Sequence, residues 1–289
     1  MAGVKGIDRT NDYAFKRIFG SEDTKDILLS FLNAILKPGS GEELADLTLA
    51  DRELDPERLK DRELRLDIRA TTASGEIIDL EVQVVNHHDI DRRTLYHWAR
   101  LFYGQLREGG RFKDLRRTIA VDVLKFDWFA KDQRYHHVFH VREDESGEML
   151  CKHLECHLLE IPKFKNLSRP PINTLEKWLV YLGNVEGESM KTIAEEEPAI
   201  QHALTIEEIF WQDEKERRYY EMRQDGLLDY RSELSAVREE SLKEGREDNK
   251  KETAKAALEE GSSVEFVVKI TGLSRETVLK LKSDMEKEQ

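Results

Sequence analysis

The sequence has few of the features on which secreted and membrane proteins depend. Two cysteines, Cys151 and Cys156, stand among 289 residues, too few for a disulfide framework. No stretch approaches the roughly 18 consecutive apolar residues that a membrane span requires. The first residues also lack the apolar segment of a signal peptide. We therefore expect a cytoplasmic protein without membrane association.

The net charge of −13 argues against a protein that coats nucleic acid through charge alone. The charge is unevenly spread, however. Residues 90–118 hold eight Lys and Arg against three Asp and Glu, whereas residues 184–260 hold twelve against twenty-two. A basic central segment and an acidic C-terminal part are compatible with an enzyme that binds phosphate groups on one face only.

Two amphipathic helices are predicted near the start of the chain. The first has Asn11 or Asp12 as its cap, and its apolar face is formed by Tyr13, Phe15, Ile18 and Phe19. The second carries apolar residues at three- and four-residue spacing from Ile27 to Leu36 and ends at Pro38. Residues 40–62 are expected to be irregular.

From residue 64 the apolar residues recur at every second position, which predicts a β-hairpin with an acidic face. Residues 64, 66, 68 and 70 are apolar and alternate with Arg65, Asp67 and Arg69. After a turn at residues 73–75, a second strand places Ile78, Leu80, Val82 and Val84 inward, and Asp79, Glu81 and Gln83 outward.

The rest of the sequence predicts one more helix, three strands and a helical C-terminal region. The helix covers residues 92–106, and the strands lie near residues 118–124, 135–142 and 154–161. Beyond Pro170 and Pro171 only helices are predicted, including a long charged one over residues 213–257. A helix-turn-helix-like unit with Ser274 as N-cap ends the chain. This unit can read DNA or pair subunits, and the sequence leaves both open.

The strongest candidates for catalytic residues are Asp67, Glu81 and Gln83. Two hard carboxylates on neighbouring strands suit Mg²⁺, which prefers oxygen ligands. A cation there would polarise a phosphodiester and activate a water, which Gln83 would orient. The alternative is that all three are ordinary solvent-facing residues on a half-exposed sheet.

Three further groups contain side chains that can bind phosphate or metal ions. A loop-borne basic cluster can hold a DNA backbone; its residues are Arg107, Arg111, Lys113, Arg116 and Arg117. Cys151, His153, Cys156 and His157 suggest zinc, but four ligands within seven residues and no second knuckle argue against it. His87 and His88 are expected to be an exposed loop pair.

Residues 8–163 resemble the recombination-promoting nucleases, also described as transposases, of the PD-(D/E)XK superfamily. The resemblance is carried by the order of short motifs: Asn11-Asp12-Tyr13-Ala14-Phe15-Lys16, Leu66-Asp67-Ile68-Arg69-Ala70, Leu80-Glu81-Val82-Gln83, Arg93-Thr94-Leu95-Tyr96, and Leu158-Leu159-Glu160-Ile161-Pro162-Lys163. No single motif is specific, but their order over half the chain is.

The resemblance implies which residues form the site. Asp67 and Glu81 would be the metal carboxylates, with the backbone carbonyl of Val82 as a further ligand. Gln83 stands where the wider superfamily usually has lysine. Asp12 is a candidate extra acidic residue from the first helix, with helix capping as its alternative. Arg93 and Gln105, on a helix expected behind the hairpin, are candidate phosphate or active-site contacts. The aromatic residues of that helix are expected to pack in the core.

The sequence therefore predicts an α/β fold with a restriction-endonuclease-like core and a helical C-terminal tail. The expected divisions are a nuclease-like domain (1–165), a helical connector (166–230) and a charged helix with an accessory segment (231–289). The predicted function is a DNA endonuclease using Mg²⁺ or Mn²⁺ with little sequence specificity, linked to recombination or mobile elements. The rival is a weakly active or inactive nuclease-like module that binds DNA or protein as a homo-oligomer through its C-terminal helices.

Overall fold

The structure is a computed structural model that describes residues 6–37, 39, 43–50, 67–165 and 169–288. It divides into two compact units, residues 1–227 and residues 228–289. Among the described residues, no helix combines the length and apolar character that crossing a lipid bilayer would need. The predicted residues 64–66 of the first hairpin strand lie outside the described part of the chain.

Two short helices open the first unit, as predicted. Helix α1 (Asp12–Phe19) is capped by Asn11, whose side-chain oxygen accepts from the backbone N–H groups of Tyr13 and Ala14. Helix α2 (Lys25–Leu36) ends where Lys37 takes a left-handed conformation, with φ of 48°. The predicted apolar faces of both helices are buried in the core.

A mixed six-stranded sheet forms the centre of the unit and confirms the predicted α/β class. Its strands are β1 (Leu47–Leu49), β2 (Ile68–Thr72), β3 (Ile77–Gln83), β4 (Thr118–Leu124), β5 (His136–Phe139) and β6 (Leu154–Glu160). Their spatial order is β1-β2-β3-β4-β6-β5. The pairs β3–β4 and β4–β6 are parallel, and the three outer pairs are antiparallel.

Strand β1 lies in a segment that was expected to be irregular, so that expectation is wrong at residues 47–49. The strand forms because Leu47 is buried in the core and because its backbone pairs with β2 at the sheet edge. Neither the three-residue length nor the charged surroundings of this segment gives a period-two signal that could predict it.

Helices cover both faces of the sheet. One face packs against α1, α2, α5 (Thr174–Leu182), α6 (Glu188–Glu196) and α7 (Pro198–Gln212) in one hydrophobic core. The other face carries α3 (Ile90–Gly104), which lies along β4. The short α4 (Ile161–Lys165) follows β6 directly. Helices α5–α7 thus share a core with the sheet, while the predicted divisions near residues 165 and 230 remain predictions.

The long charged helix α8 (Glu214–Glu259) begins in the first unit and continues into the second. In the second unit, α9 (Val264–Thr271) and α10 (Arg275–Glu288) follow it. A small core of Ala254, Val267, Leu273 and Val278 joins these three helices. Gly272 makes the turn with φ of 68°, and Ser274 caps α10 by accepting from the Thr277 N–H. The predicted helix-turn-helix-like arrangement is confirmed.

Candidate metal centre

Strand β3 places Asp79, Glu81 and Gln83 on one face, as its period-two pattern predicts. All three side chains are buried, with exposed fractions of 3%, 8% and 8%. They point away from the apolar core, as predicted, and α3 packs over this face of the sheet. The alternative of ordinary solvent-facing residues is therefore excluded.

Arg69 links two aspartates at the edge of this group. Its Nη2 lies 3.0 Å from Asp67 Oδ2, and its Nε lies 2.8 Å from Asp79 Oδ1. Strands β2 and β3 pair Arg69 with Asp79 and Ile68 with Leu80, and this register continued by one residue sets Asp67 opposite Glu81. The hairpin thus brings both predicted metal carboxylates to the same place.

His97 of α3 reaches the group from above the sheet. Its Nδ1 lies 2.6 Å from Glu81 Oε1. Asp79, Glu81 and His97 each offer one ligand atom, and these three atoms lie within 4.8 Å of one another. His97 was not predicted as a site residue. Its spacing of four from Arg93 on the same helix is the signal that could have indicated it.

Asp122 is a fourth carboxylate beside Glu81, with which it is paired in register across β3 and β4. Thr94 of α3 donates its hydroxyl to Asp122 Oδ2 at 2.6 Å. Burial and the nearby Glu81 raise the pKa of Asp122 to about 7. The sequence prediction missed this residue. The signal that could have indicated it is that it is the one charged residue of a mostly apolar strand.

The crowding of acidic groups also affects Asp79. Burial raises the pKa of Asp79 to about 6, Arg69 opposes the rise, and Glu81 and Asp67 add to it. Four buried carboxylates therefore lie on neighbouring strands, and Arg69 is paired with two of them, Asp67 and Asp79. Such a group has excess negative charge that a divalent cation would balance.

Gln83 and Arg93 form a hydrogen-bonded chain that ends on Glu81. The Gln83 amide Nε2 donates to Glu81 Oε2 at 2.5 Å, and Arg93 Nη2 donates to Gln83 Oε1 at 3.3 Å. Arg93 Nε is buried and has no hydrogen-bond partner among the described residues. Gln83 thus holds Glu81 in place, while Arg93 keeps donor capacity for an anionic group.

A small cavity of about 10 Å³ lies at the centre of this arrangement. That volume is near the lower limit for a single water molecule. Its walls are formed by Asp79, Glu81, Arg93, Thr94, His97, Ala120, Val121 and Asp122. The donor set of carboxylate oxygens with one imidazole nitrogen fits a divalent metal ion.

Two of the other candidate residues have structural contacts. Asp12 accepts from Arg223 of α8 in a buried ion pair, at 2.7 to 3.1 Å. Since Asn11 caps α1, the capping alternative for Asp12 is wrong. Gln105 is bound to the start of β4: its amide donates to Thr118 Oγ1 and Arg116 O, and it accepts from the Arg116 N–H.

The basic cluster is only partly available to a ligand. Arg111 is paired with Asp114, and Arg117 is paired with Glu76 and, at 2.5 Å, with Glu155. The three remaining members, Arg107, Lys113 and Arg116, are exposed.

The cysteine and histidine cluster near β6 does not come together as a metal site in the described residues. Neighbouring strand residues Cys156 and His157 point to opposite faces of the sheet. His157 is held by His136 at 2.9 Å and by Glu155 at 2.8 Å. Burial, with Asp122 next in effect, raises the pKa of the Cys156 thiol, which opposes formation of the thiolate that zinc requires.

Comparison with known proteins identifies one family. The family described as PD-(D/E)XK nuclease family transposase matches residues 9–237. The match covers all six strands, helices α1–α7 and the first half of α8. Neither the curated proteins nor the solved structures gave a match. The resemblance expected from the short motifs is thereby confirmed.

Proposed function

Since the chain belongs to the PD-(D/E)XK nuclease family of transposases, we propose that it is a DNA endonuclease that uses Mg²⁺ or Mn²⁺. The observation that carries the proposal is the buried group of Asp79, Glu81 and Asp122 around a cavity on β3 and β4, with Asp67 buried next to it. Buried carboxylates are costly unless they are paired or hold a metal. A group that keeps four of them in one place has a cation-binding function as its simplest explanation.

Asp67 and Glu81 would hold the ion, with the backbone carbonyl of Val82 as a further ligand. These are the positions that the family motifs give to the metal. A divalent cation in such a site supplies Lewis-acid polarisation of the scissile phosphodiester and of the attacking water.

The protein's own residues position the reactants. Gln83 fixes the Glu81 carboxylate through the hydrogen bond at 2.5 Å. Arg93 is directed to the same cavity and would bind a phosphate oxygen with its fork of donors. Gln83 has no ionisable group, so it can orient a water but cannot accept its proton.

The outer face of α3 would contact DNA that flanks the scissile bond. Tyr96, Arg100 and Tyr103 recur at four and three residues on this helix and are exposed, and Arg107 follows just beyond its end. Aromatic rings can stack on unpaired bases, and arginines can bind the phosphates between them. Phosphate and stacking contacts carry little sequence information, which is why we expect little sequence specificity.

The family description also supports a link to recombination or to mobile elements. Helices α8–α10 would then serve as an accessory, either pairing two copies of the chain or contacting DNA. Oligomeric state by light scattering, with and without a DNA duplex, separates these two roles.

The experiment that tests the proposal is nicking of supercoiled plasmid by the full chain. We expect open-circle product with Mg²⁺ or Mn²⁺ and none when EDTA is present. DNA binding without cleavage under any of several divalent ions would favour the rival, an inactive nuclease-like binding module. Cleavage that persists in EDTA would refute a metal-dependent mechanism.

A further inference from the structure

We propose that His97 is a metal ligand, which makes the site a mixed nitrogen and oxygen site that prefers Mn²⁺ to Mg²⁺. The inference rests on the proposed function and deepens it by naming the preferred cofactor. Glu81 and Asp79 would supply oxygen ligands beside His97, in addition to the proposed ligand Asp67. Asp67 lies next to them, on the other side of Arg69.

The contact between His97 and Glu81 is the first observation. The 2.6 Å between Nδ1 and Oε1 brings the imidazole as close to the carboxylate as a hydrogen bond allows. A ligand atom of Asp79 lies within 4.8 Å of both. Two donor atoms can contact one ion when they are up to about 4.4 Å apart, since metal–nitrogen and metal–oxygen bonds are about 2.0–2.2 Å long in compact sites. The three atoms are thus within a few tenths of an ångström of separations that one ion can bridge.

The second observation is that helix α3 is fixed on both sides of His97. The Thr94 hydroxyl donates to Asp122, and the Trp98 Nε1 donates to the Thr118 carbonyl at 2.9 Å. Both acceptors belong to β4, the neighbour of the strand that carries Glu81. His97 is therefore held over the carboxylates before any ion binds, as a metal site requires.

The donor chemistry then predicts the ion. Mg²⁺ favours oxygen ligands and keeps several waters, whereas first-row transition ions bind imidazole nitrogen more readily than Mg²⁺ does, Mn²⁺ being the weakest binder among them. A site without His97 would have oxygen ligands alone. We therefore expect the imidazole to raise affinity for Mn²⁺ more than affinity for Mg²⁺.

A competing role for His97 is to donate a hydrogen bond to Glu81 while Glu81 alone contacts the ion. Both roles predict a loss of cleavage on substitution, so activity cannot separate them. Direct detection of nitrogen coordination can.

The test is electron spin-echo envelope modulation spectroscopy of Mn²⁺ bound to the full-length protein. Two samples are compared, one with natural-abundance histidine and one with ¹⁵N-labelled histidine. We expect modulation from one coordinated nitrogen, replaced by the ¹⁵N pattern in the labelled protein. It should vanish in His97→Gln and persist in His202→Gln, which removes a histidine that pairs with Asp26 at the surface. The preference for Mn²⁺ over Mg²⁺, from titrations, should fall roughly tenfold or more in His97→Gln.

Absence of a nitrogen signal from Mn²⁺ bound to the wild-type protein would overturn the inference, whether or not His97→Gln folds. Persistence of the signal in a folded His97→Gln would do the same. These outcomes are separate from failure of the proposed function. Bound Mn²⁺ with a histidine signal but no plasmid nicking would leave the ligand assignment intact and remove the nuclease.

Discussion

At the scale of single residues, the site concentrates acidic groups that repel one another when no cation is present. Asp122 and Asp79 both have raised pKa values, to about 7 and about 6, because burial and neighbouring carboxylates disfavour their charged forms. The metal-free site is therefore a source of instability. Families of enzymes commonly accept such a cost at the position where the chemistry takes place.

Replacement of Asp122 by Asn should stabilise the metal-free protein at alkaline pH. The folded-state pKa is above the ordinary 3.8, so the folded protein binds more protons and loses stability as pH rises from about 4 to about 7. Asp122→Asn removes this loss and keeps an acceptor for the Thr94 hydroxyl. The expected gain in unfolding free energy at pH 8 is at most about 4 kcal/mol.

Chemical denaturation in EDTA at pH 4 and pH 8 measures this effect. The difference between Asp122→Asn and wild type should grow with pH. A difference that is the same at both pH values would show that Asp122 is not protonated more readily in the folded state.

Replacement of Gln83 by Ala should slow cleavage less than Asp67→Asn does. The Gln83 amide connects Arg93 to Glu81, so its loss loosens both residues but removes no carboxylate from the site. Initial nicking rates at saturating Mn²⁺ compare the two variants. If Gln83→Ala binds Mn²⁺ normally and is as inactive as Asp67→Asn, then Gln83 does more than position its neighbours.

At the scale of single residues, the sequence predicts the position of a side chain where that position depends on one strand alone. Period-two alternation is sufficient to put Asp79, Glu81 and Gln83 on one face. It does not indicate His97 or Asp122, because those side chains meet Glu81 only after β4 pairs in parallel with β3 and α3 packs across them. Contacts of that range are not encoded in local spacing.

At the scale of secondary-structure elements, helix α3 has two different faces. Its inner face carries the polar Arg93, Thr94 and His97 toward the sheet. Its outer face leaves Tyr96 and Tyr103 exposed by 64% and 83%. The expectation that the aromatics of this helix pack in the core is wrong for these two, because the polar face of the sheet is matched by polar side chains instead.

The two exposed tyrosines should contribute to binding of single-stranded DNA. Stacking of a base on an aromatic ring is worth about 1–3 kcal/mol, so Tyr96→Ala with Tyr103→Ala should weaken affinity for an oligonucleotide roughly tenfold or more. The double Tyr→Phe variant keeps both rings and is the matched control. Fluorescence anisotropy with single-stranded and duplex DNA measures the effect.

Equal affinity of the alanine and phenylalanine variants for the single strand would contradict this role for α3. An equal loss on single-stranded and duplex DNA would show that the tyrosines support the surface without stacking on bases.

Most elements were predictable because each has an internal period. The hairpin, α1, α2, β4 and the β5–β6 pair follow from apolar spacing within about ten residues. Strand β1 was not predictable, since a three-residue strand is too short to show a period and exists only through pairing with β2.

At the scale of the whole molecule, residues far apart in the chain close the first unit. Arg9 forms a buried ion pair with Glu207 of α7 at 2.7 Å, and Asp12 forms one with Arg223 of α8. Tyr13 and Tyr220 belong to one small apolar cluster. The beginning of α8 is thus part of the unit that contains the candidate metal centre.

Truncation should separate the two units at a defined point. A chain of residues 1–234 keeps Tyr220 and Arg223 and should fold and cut DNA. A chain of residues 1–212 leaves Asp12 buried without its partner, and breaking such a pair costs about 3–5 kcal/mol, a large share of the stability of a domain. Thermal unfolding of both chains, with plasmid nicking, tests the prediction.

Failure of residues 1–234 to fold would show that the first unit depends on the second. A cooperative thermal transition in residues 1–212 equal to that of the longer chain would show that the start of α8 adds nothing to the stability of the first unit.

The sequence could predict that helices follow Pro171 but not which of them share the sheet's core, because an apolar face does not specify its partner.

The central claim is that Glu81 and the carboxylates next to it hold the ion with which the protein cuts DNA. Its most direct test compares Glu81→Gln with Glu76→Gln, a change just before the same strand that removes a half-exposed acid paired with Arg117. We expect Glu81→Gln to remain folded by circular dichroism but to lose Mn²⁺ affinity and all nicking above the EDTA background, while Glu76→Gln cuts like wild type. A folded Glu81→Gln that nicks plasmid at the wild-type rate would contradict the account.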